Sequence, residues 1–107
     1  MTYAGLLEGI AYTGAPPAGQ PTLVTQDSRK VCPGAVFVCI AGRGFDGHDF
    51  AAAALEAGAG MLVTERPLGL DREVTVKDTR AAYAALCQNF FGRPADRLTL
   101  IGVTGTN

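Results

Sequence analysis

Ala35-Val36-Phe37-Val38-Cys39-Ile40 is an unbroken apolar run set between the turn signal Pro33-Gly34 and a glycine-rich stretch at residues 41–47. A strand with one wet face alternates apolar and polar residues. A short run without alternation, bounded by turn residues, fits a strand covered on both faces. Such a strand needs neighbours in a sheet and helices above and below it, which points to an α/β fold rather than a sandwich or a bundle. The rest of the chain supplies those parts. Residues 61–64, Met-Leu-Val-Thr, read as a second buried strand and residues 73–76 as a third, and residues 22–26 are β-prone. Helical spacing occurs three times. Leu6, Leu7 and Ile10 suggest a short helix within residues 3–10. Phe50, Ala53, Ala54 and Ala57 share a face of a helix from about residue 48 or 49 to 57, capped by Asp46 and stopped by Gly58 and Gly60. Ala82, Tyr83, Leu86 and Phe90 form a core stripe on a helix capped by Asp78 or Thr79 and ended by Gly92 and Pro94. Residues 14–21, rich in proline and glycine, read as a surface loop. A last strand is expected at residues 98–103. The expected fold class is α/β, a small mixed or parallel sheet flanked by helices.

A chain of 107 residues allows one ordinary domain. Nine Lys and Arg against ten Asp and Glu, with 48% apolar residues, argue against a disordered tail or a polycation, so no nucleic-acid partner is expected. Cys32, Cys39 and Cys87 show neither a disulfide framework nor metal-ligand spacing, and suit a reducing cytoplasm. Cys39 and Cys87 read as small buried thiols. No run approaches the length of a membrane span, and residues 1–10 lack the basic and apolar regions of a signal peptide, so no membrane association is expected.

Little here suits a nucleophile and base dyad, because His48 is the single histidine. Asp46, His48 and Asp49 could gather around a metal, but capping of the following helix accounts for the two aspartates better, and no metal ligand is assigned. Gly42, Gly44 and Gly47 match G-x-G-x-x-G. The stretch could contact a phosphate with help from Arg43, form a structural turn, or mark a dinucleotide site with Glu65 as the nearest ribose acceptor. Asp27-Ser28-Arg29 at a strand end combines acceptor, hydroxyl and bidentate donor. It suits either a polar ligand or an Asx turn carrying a surface arginine. At the C-terminus, Gly102-Val103-Thr104-Gly105-Thr106-Asn107 begins as a phosphate-binding loop begins but lacks the Gly-Lys-[ST] of a complete one. The expectation is a fragment cut at a domain boundary, unable to hydrolyse ATP by itself.

Three segments together, Asp27-Ser28-Arg29-Lys30-Val31-Cys32-Pro33-Gly34, the stretch from Ala41-Gly42-Arg43 through Phe45-Asp46-Gly47-His48-Asp49-Phe50, and Ile101-Gly102-Val103-Thr104-Gly105-Thr106-Asn107, resemble the N-terminal domain of the Mur ligases. The resemblance spans roughly residues 25–107. It is nearest the MurE branch, which adds the third residue of the peptidoglycan stem peptide; the MurF branch, or a non-catalytic nucleotide- or protein-binding module, is the alternative. The resemblance implies residues 1–97 as a substrate domain and 98–107 as the first strand and incomplete ATP loop of a central domain. It implies an ATP- and Mg2+-dependent amide ligase of the bacterial cytoplasm acting on UDP-MurNAc-L-Ala-D-Glu with meso-diaminopimelate or L-lysine. The catalytic parts lie in central and C-terminal domains, so no catalytic residue and no bound cofactor are expected in this chain. Carried over by motif, Gln26, Asp27, Ser28, Arg29, Arg43, Gly44 and Phe45 contact the UDP end of the substrate, Ser28 touching uridine, Phe45 stacking and Arg43 pairing with phosphate. Gly105, Thr106 and Asn107 belong to the ATP loop.

Overall fold

The structure, a computed structural model, describes residues 2–42 and 44–91, with Phe45 as backbone only. The expected strand at 98–103, Gly105, Thr106 and Asn107, Arg43, and the Phe45 side chain lie outside the described part.

In chain order the elements are α1 (Tyr3–Leu6), β1 (Tyr12–Thr13), β2 (Val24–Thr25), a 3-10 turn (Ser28–Lys30), β3 (Val36–Val38), β4 (Ala41–Gly42), β5 (Phe45–Asp46), a second 3-10 turn (Gly47–Phe50), α2 (Ala51–Glu56), β6 (Met61–Thr64), β7 (Glu73–Val76) and α3 (Thr79–Phe91). Five strands form one mixed sheet in the order β1-β7-β6-β3-β2. β2, β3, β6 and β7 run parallel, and β1 closes one edge antiparallel to β7, with Tyr12 opposite Val76. β4 and β5 make a separate two-stranded hairpin with Ala41 opposite Asp46.

The central run behaves as its composition demands. Val36 and Val38 join Met61, Val63, Val74, Ala82 and Leu86 on the face covered by α1 and α3, while Phe37 and Cys39 join Leu62, Ala51 and Ala54 on the face covered by α2. Alternate side chains point to opposite faces, so both faces of β3 are filled. Each large aliphatic chain buried this way contributes about 1.5–3 kcal/mol. α3 keeps the expected stripe, with Ala82 and Leu86 buried and Tyr83 and Phe90 against the same cluster. Its Asn89 amide donates to the Leu6 and Glu8 carbonyls and so ties down the end of α1.

The segment before α2 departs from expectation. Gly47–Phe50 winds as a 3-10 turn before the α-helix begins at Ala51. With three residues per turn instead of 3.6, the phase shifts. Ala51 and Ala54 face the core, whereas Phe50, Ala53 and Ala57 are exposed. The helix ends where expected, at Gly58, whose φ of +107° reverses the chain and whose missing Cβ would meet the Pro33 backbone at 2.9 Å. The glycine-rich stretch also contains the β4–β5 hairpin, and α1 and β2 are shorter than the sequence suggests.

Glu65 serves the fold. Its Oε2 accepts from the Thr79 N–H at 2.8 Å and the Thr79 hydroxyl at 2.9 Å, while Asp78 Oδ1 accepts from the Arg80 and Ala81 N–H groups. The first turn of α3 is thereby satisfied from two carboxylates. Glu65→Ala should cost about 1.5 kcal/mol, as loss of a helix cap does, and Glu65→Gln less, read from urea midpoints.

Candidate functional site: a cleft at the ends of β2 and β3

The cleft begins where β2 ends. Asp27 has extended backbone, and its Oδ1 accepts from the Arg29 N–H at 2.9 Å, which starts the Ser28–Lys30 turn. The same carboxylate takes a two-pronged ion pair, Oδ1 from Arg29 Nε and Oδ2 from Arg29 Nη2, each at 3.0 Å. The hydrogen bonds from Arg29 hold the Asp27 carboxyl down at about 2. The Arg29 side chain is 88% exposed, so the pair stands in water and its stabilising value is small. The Asx-turn alternative for this triplet is therefore realised, and the triplet still borders a cavity.

That cavity, about 480 Å³, has Gln26, Asp27, Ser28 and Arg29 on one wall, Phe37 of β3 behind, and Gly47 and Phe50 on the other wall. It opens outside the C-terminal ends of parallel strands, the position in which open α/β sheets take ligands. Among the described residues nothing bonds the Ser28 hydroxyl, so it offers both a donor and an acceptor to the cleft. Four of the seven residues expected to touch substrate thus come together. Gly44 sits at the turn of the β4–β5 hairpin with φ +80°.

Phe50 and Phe37 were not legible as cleft residues. Phe50 is 44% exposed at the rim because the 3-10 turn swings it away from the core. The signal lay in Asp46-Gly47, an Asx cap followed by glycine, which favours a tight turn ahead of the helix.

The far wall is held by His48. Asp46 Oδ1 accepts from the His48 N–H at 2.9 Å and lies 2.6 Å from Nδ1, while His48 Nε2 accepts from the Glu65 N–H at 2.9 Å. These partners fix the neutral tautomer with the proton on Nδ1. The His48 side chain is 1% exposed. Asp46 also receives Arg66 Nη2 at 3.1 Å. Hydrogen bonds from the His48 backbone and ring, with Arg66 beside them, hold the Asp46 carboxyl down at about 2. A folded-state value below the unfolded one gives stability that is present above the ordinary carboxylate range and is lost as pH falls toward 2. Denaturation midpoints measured from pH 5 down to pH 2 should therefore drop, and Asp46→Asn should flatten that drop. The Cys39 thiol is pushed up to about 12, chiefly by burial, and is chemically quiet. No three His, Cys, Asp or Glu gather around a common point among the described residues, and no described helix is long and apolar enough to cross a membrane.

The family model described as Mur ligase family, catalytic domain, matches residues 21–91, from just before β2 to the end of α3. The chain belongs to the Mur ligase family. A UDP-N-acetylmuramoyl-L-alanyl-D-glutamate–2,6-diaminopimelate ligase of Geobacillus kaustophilus is 51% identical over 92 residues, 83% of this chain and 19% of that protein. The same-named ligase of Listeria innocua is 44% identical over 110 residues, 100% of this chain and 22% of its own length. Among solved structures, MurF from Acinetobacter baumannii superposes with a TM-score of 0.74 at 26% identity, over 88% of this chain and 22% of that one. MurF from Thermotoga maritima in complex with ADP gives 0.58 at 35% identity, over 65% and 17%. This chain spans about a fifth of the length of these Mur ligases. Its mixed sheet flanked by helices is the Mur ligase N-terminal domain fold.

Proposed function

We propose that this domain holds the UDP end of UDP-MurNAc-L-Ala-D-Glu for a MurE-type ligase of the bacterial cytoplasm. The observation that carries the reading is the convergence of Gln26, Asp27, Ser28 and Arg29 on one wall of a cleft that has an aromatic ring at its back and another at its rim. A uracil presents one edge of donors and acceptors and two apolar faces. The Ser28 hydroxyl and the Gln26 amide suit the edge, and the half-exposed Phe50 ring suits a face. The family resemblance also assigns the Arg43-Gly44-Phe45 loop to the uracil and pyrophosphate, with Phe45 to stack and Arg43 to pair with phosphate. Identity is higher to the diaminopimelate ligases, 44–51%, than to the MurF structures, 26–35%, which favours the MurE branch.

The whole ligase uses ATP to activate a substrate carboxylate for attack by the incoming amine, diaminopimelate in the relatives named above. Magnesium ions would neutralise the phosphates in that step. No described residue is assigned to that chemistry. The contribution of this domain is to hold the substrate by an end remote from the reacting carboxylate.

Titration of the 107-residue chain with UDP and with UDP-MurNAc-L-Ala-D-Glu, followed by amide NMR shifts, should move Ser28, Gly47 and Phe50, while ATP leaves them in place. Absence of shifts at millimolar ligand would count against the reading. Ser28→Ala should weaken UDP binding about fivefold, the worth of one hydrogen bond of about 1 kcal/mol, and leave stability unchanged. Equal affinity would confine Ser28 to the turn.

A further inference from the structure

We propose that Arg80, which lies on α3 and is not among the residues lining the cleft, is a positioning residue for nucleotide binding; the inference rests on the reading above. Gly47 forms part of the cleft wall and sits at the base of the β4–β5 hairpin, where its N–H donates to the Ile40 carbonyl at 2.9 Å. The hairpin pairs only two residues with two, Ala41 with Asp46 and Gly42 with Phe45. So short a ribbon has little stability of its own, and its placement depends on what ties it to the rest of the fold.

Three ties converge on the Ala41–Asp46 pair at that base. His48 and Arg66 hold the Asp46 carboxylate. Arg80 reaches back 39 positions in the sequence and donates from Nη2 to the Ala41 carbonyl at 2.8 Å. The ties close a ring. The Glu65 N–H bonds His48, and the Glu65 carboxylate caps Thr79, the residue before Arg80. The Asp46 side of the base is fixed by the buried His48 ring as well as by the exposed Arg66. The Ala41 side depends on an exposed guanidinium.

The place of Arg80 in its own helix supports this role. A cation in the first turn opposes the helix dipole, and the capping of that turn uses only the Arg80 backbone N–H, so α3 has no use for the charge. The side chain supplies a directed donor to the hairpin instead. A single donor is enough for a carbonyl, so lysine can replace arginine here where it could not in a bidentate pair.

The test compares the unsubstituted chain with Arg80→Ala and Arg80→Lys, using UDP and, because it carries no charge, uridine as probes in NMR titrations. Amide exchange at Gly42, Asp46 and Gly47 is measured without ligand. Expected are about tenfold weaker binding of both probes by Arg80→Ala with thermal midpoint unchanged, faster exchange at the three amides, and recovery of most of the affinity in Arg80→Lys. Unchanged affinity, a loss confined to UDP, or unchanged exchange would overturn the proposal, the second because it would mean simple attraction of phosphate. If the unsubstituted chain bound neither probe, the nucleotide reading would fall and the binding role of Arg80 with it. The exchange data would still report separately whether Arg80 holds the hairpin.

Discussion

His48→Ala should lower the unfolding free energy by about 3 kcal/mol, with the urea midpoint moving and the slope unchanged. The imidazole is 1% exposed and bridges two segments that are remote in sequence, Asp46 at the end of the hairpin and the Glu65 N–H after β6. Alanine removes both bonds at once. The Glu65 N–H then loses its acceptor in a half-buried position, a cost of about 1 kcal/mol or somewhat more. The vacated ring volume adds a cavity penalty, because the strands around it relax only in part. Asp46 would retain Arg66 and the backbone N–H of residue 48, so the hairpin should loosen without detaching. His48→Gln, which keeps an acceptor and part of the volume, should recover some of the loss. A loss below about 1 kcal/mol in His48→Ala would mean that water takes over both bonds and that the bridge is not a structural one.

This bridge marks the boundary of what could be read from the sequence. Local pattern sufficed for the buried strands: residues 35–40 and 61–64 are too apolar and too short to be anything but covered on both faces, and the structure fills both faces. The stripe of α3 was legible because thirteen residues hold one period throughout. The helix before it was legible in its existence and its end, but its buried face only at Ala54, since a 3-10 turn at its start changes the period within a single segment and turns Phe50 from the core to the cleft rim. β1 escaped for a different reason. Tyr12–Thr13 has no pattern of its own and is a strand only because β7 offers it an edge.

At the site the division is similar. Asp27-Ser28-Arg29 was recognisable because a turn and a ligand contact draw on the same residue types, and the structure gives the turn while leaving the Ser28 hydroxyl at the cleft. The partner of Glu65 was out of reach of spacing. The Oε2 of its carboxylate, a candidate ribose acceptor by position, accepts from the Thr79 cap 14 residues away. The ties among Asp46, His48, Glu65 and Arg80 cross 2 to 39 positions with no repeat, so only the folded chain displays them together.

Gly47→Ala should cost about 3 kcal/mol and abolish detectable UDP binding, the two effects arising from one clash. A Cβ on Gly47 would lie 2.7 Å from the Ile40 nitrogen, 3.0 Å from the Ile40 carbonyl oxygen and 3.1 Å from the Cys39 Cα. All three are backbone atoms, so no side chain can rotate away. They continue β3, a strand buried along its whole length, with Cys39 inaccessible and its N–H bonded to the Val63 carbonyl at 2.8 Å, and cannot retreat without breaking the sheet. The 3-10 turn must move instead, against the Gly47 N–H bond to Ile40 and the Asp46 bonds to His48. Overpacking against a fixed backbone costs about 1–3 kcal/mol, and the lost bonds place this case at the upper end. Since Gly47 and Phe50 form one wall of the cleft, the same movement displaces the surface that would meet the base. Loss of binding with stability intact would show that the turn can shift freely, and intact binding with stability lost would place the nucleotide elsewhere. Both quantities should fall together in one urea and UDP titration series, because in this fold the wall of the site is also the buttress of β3.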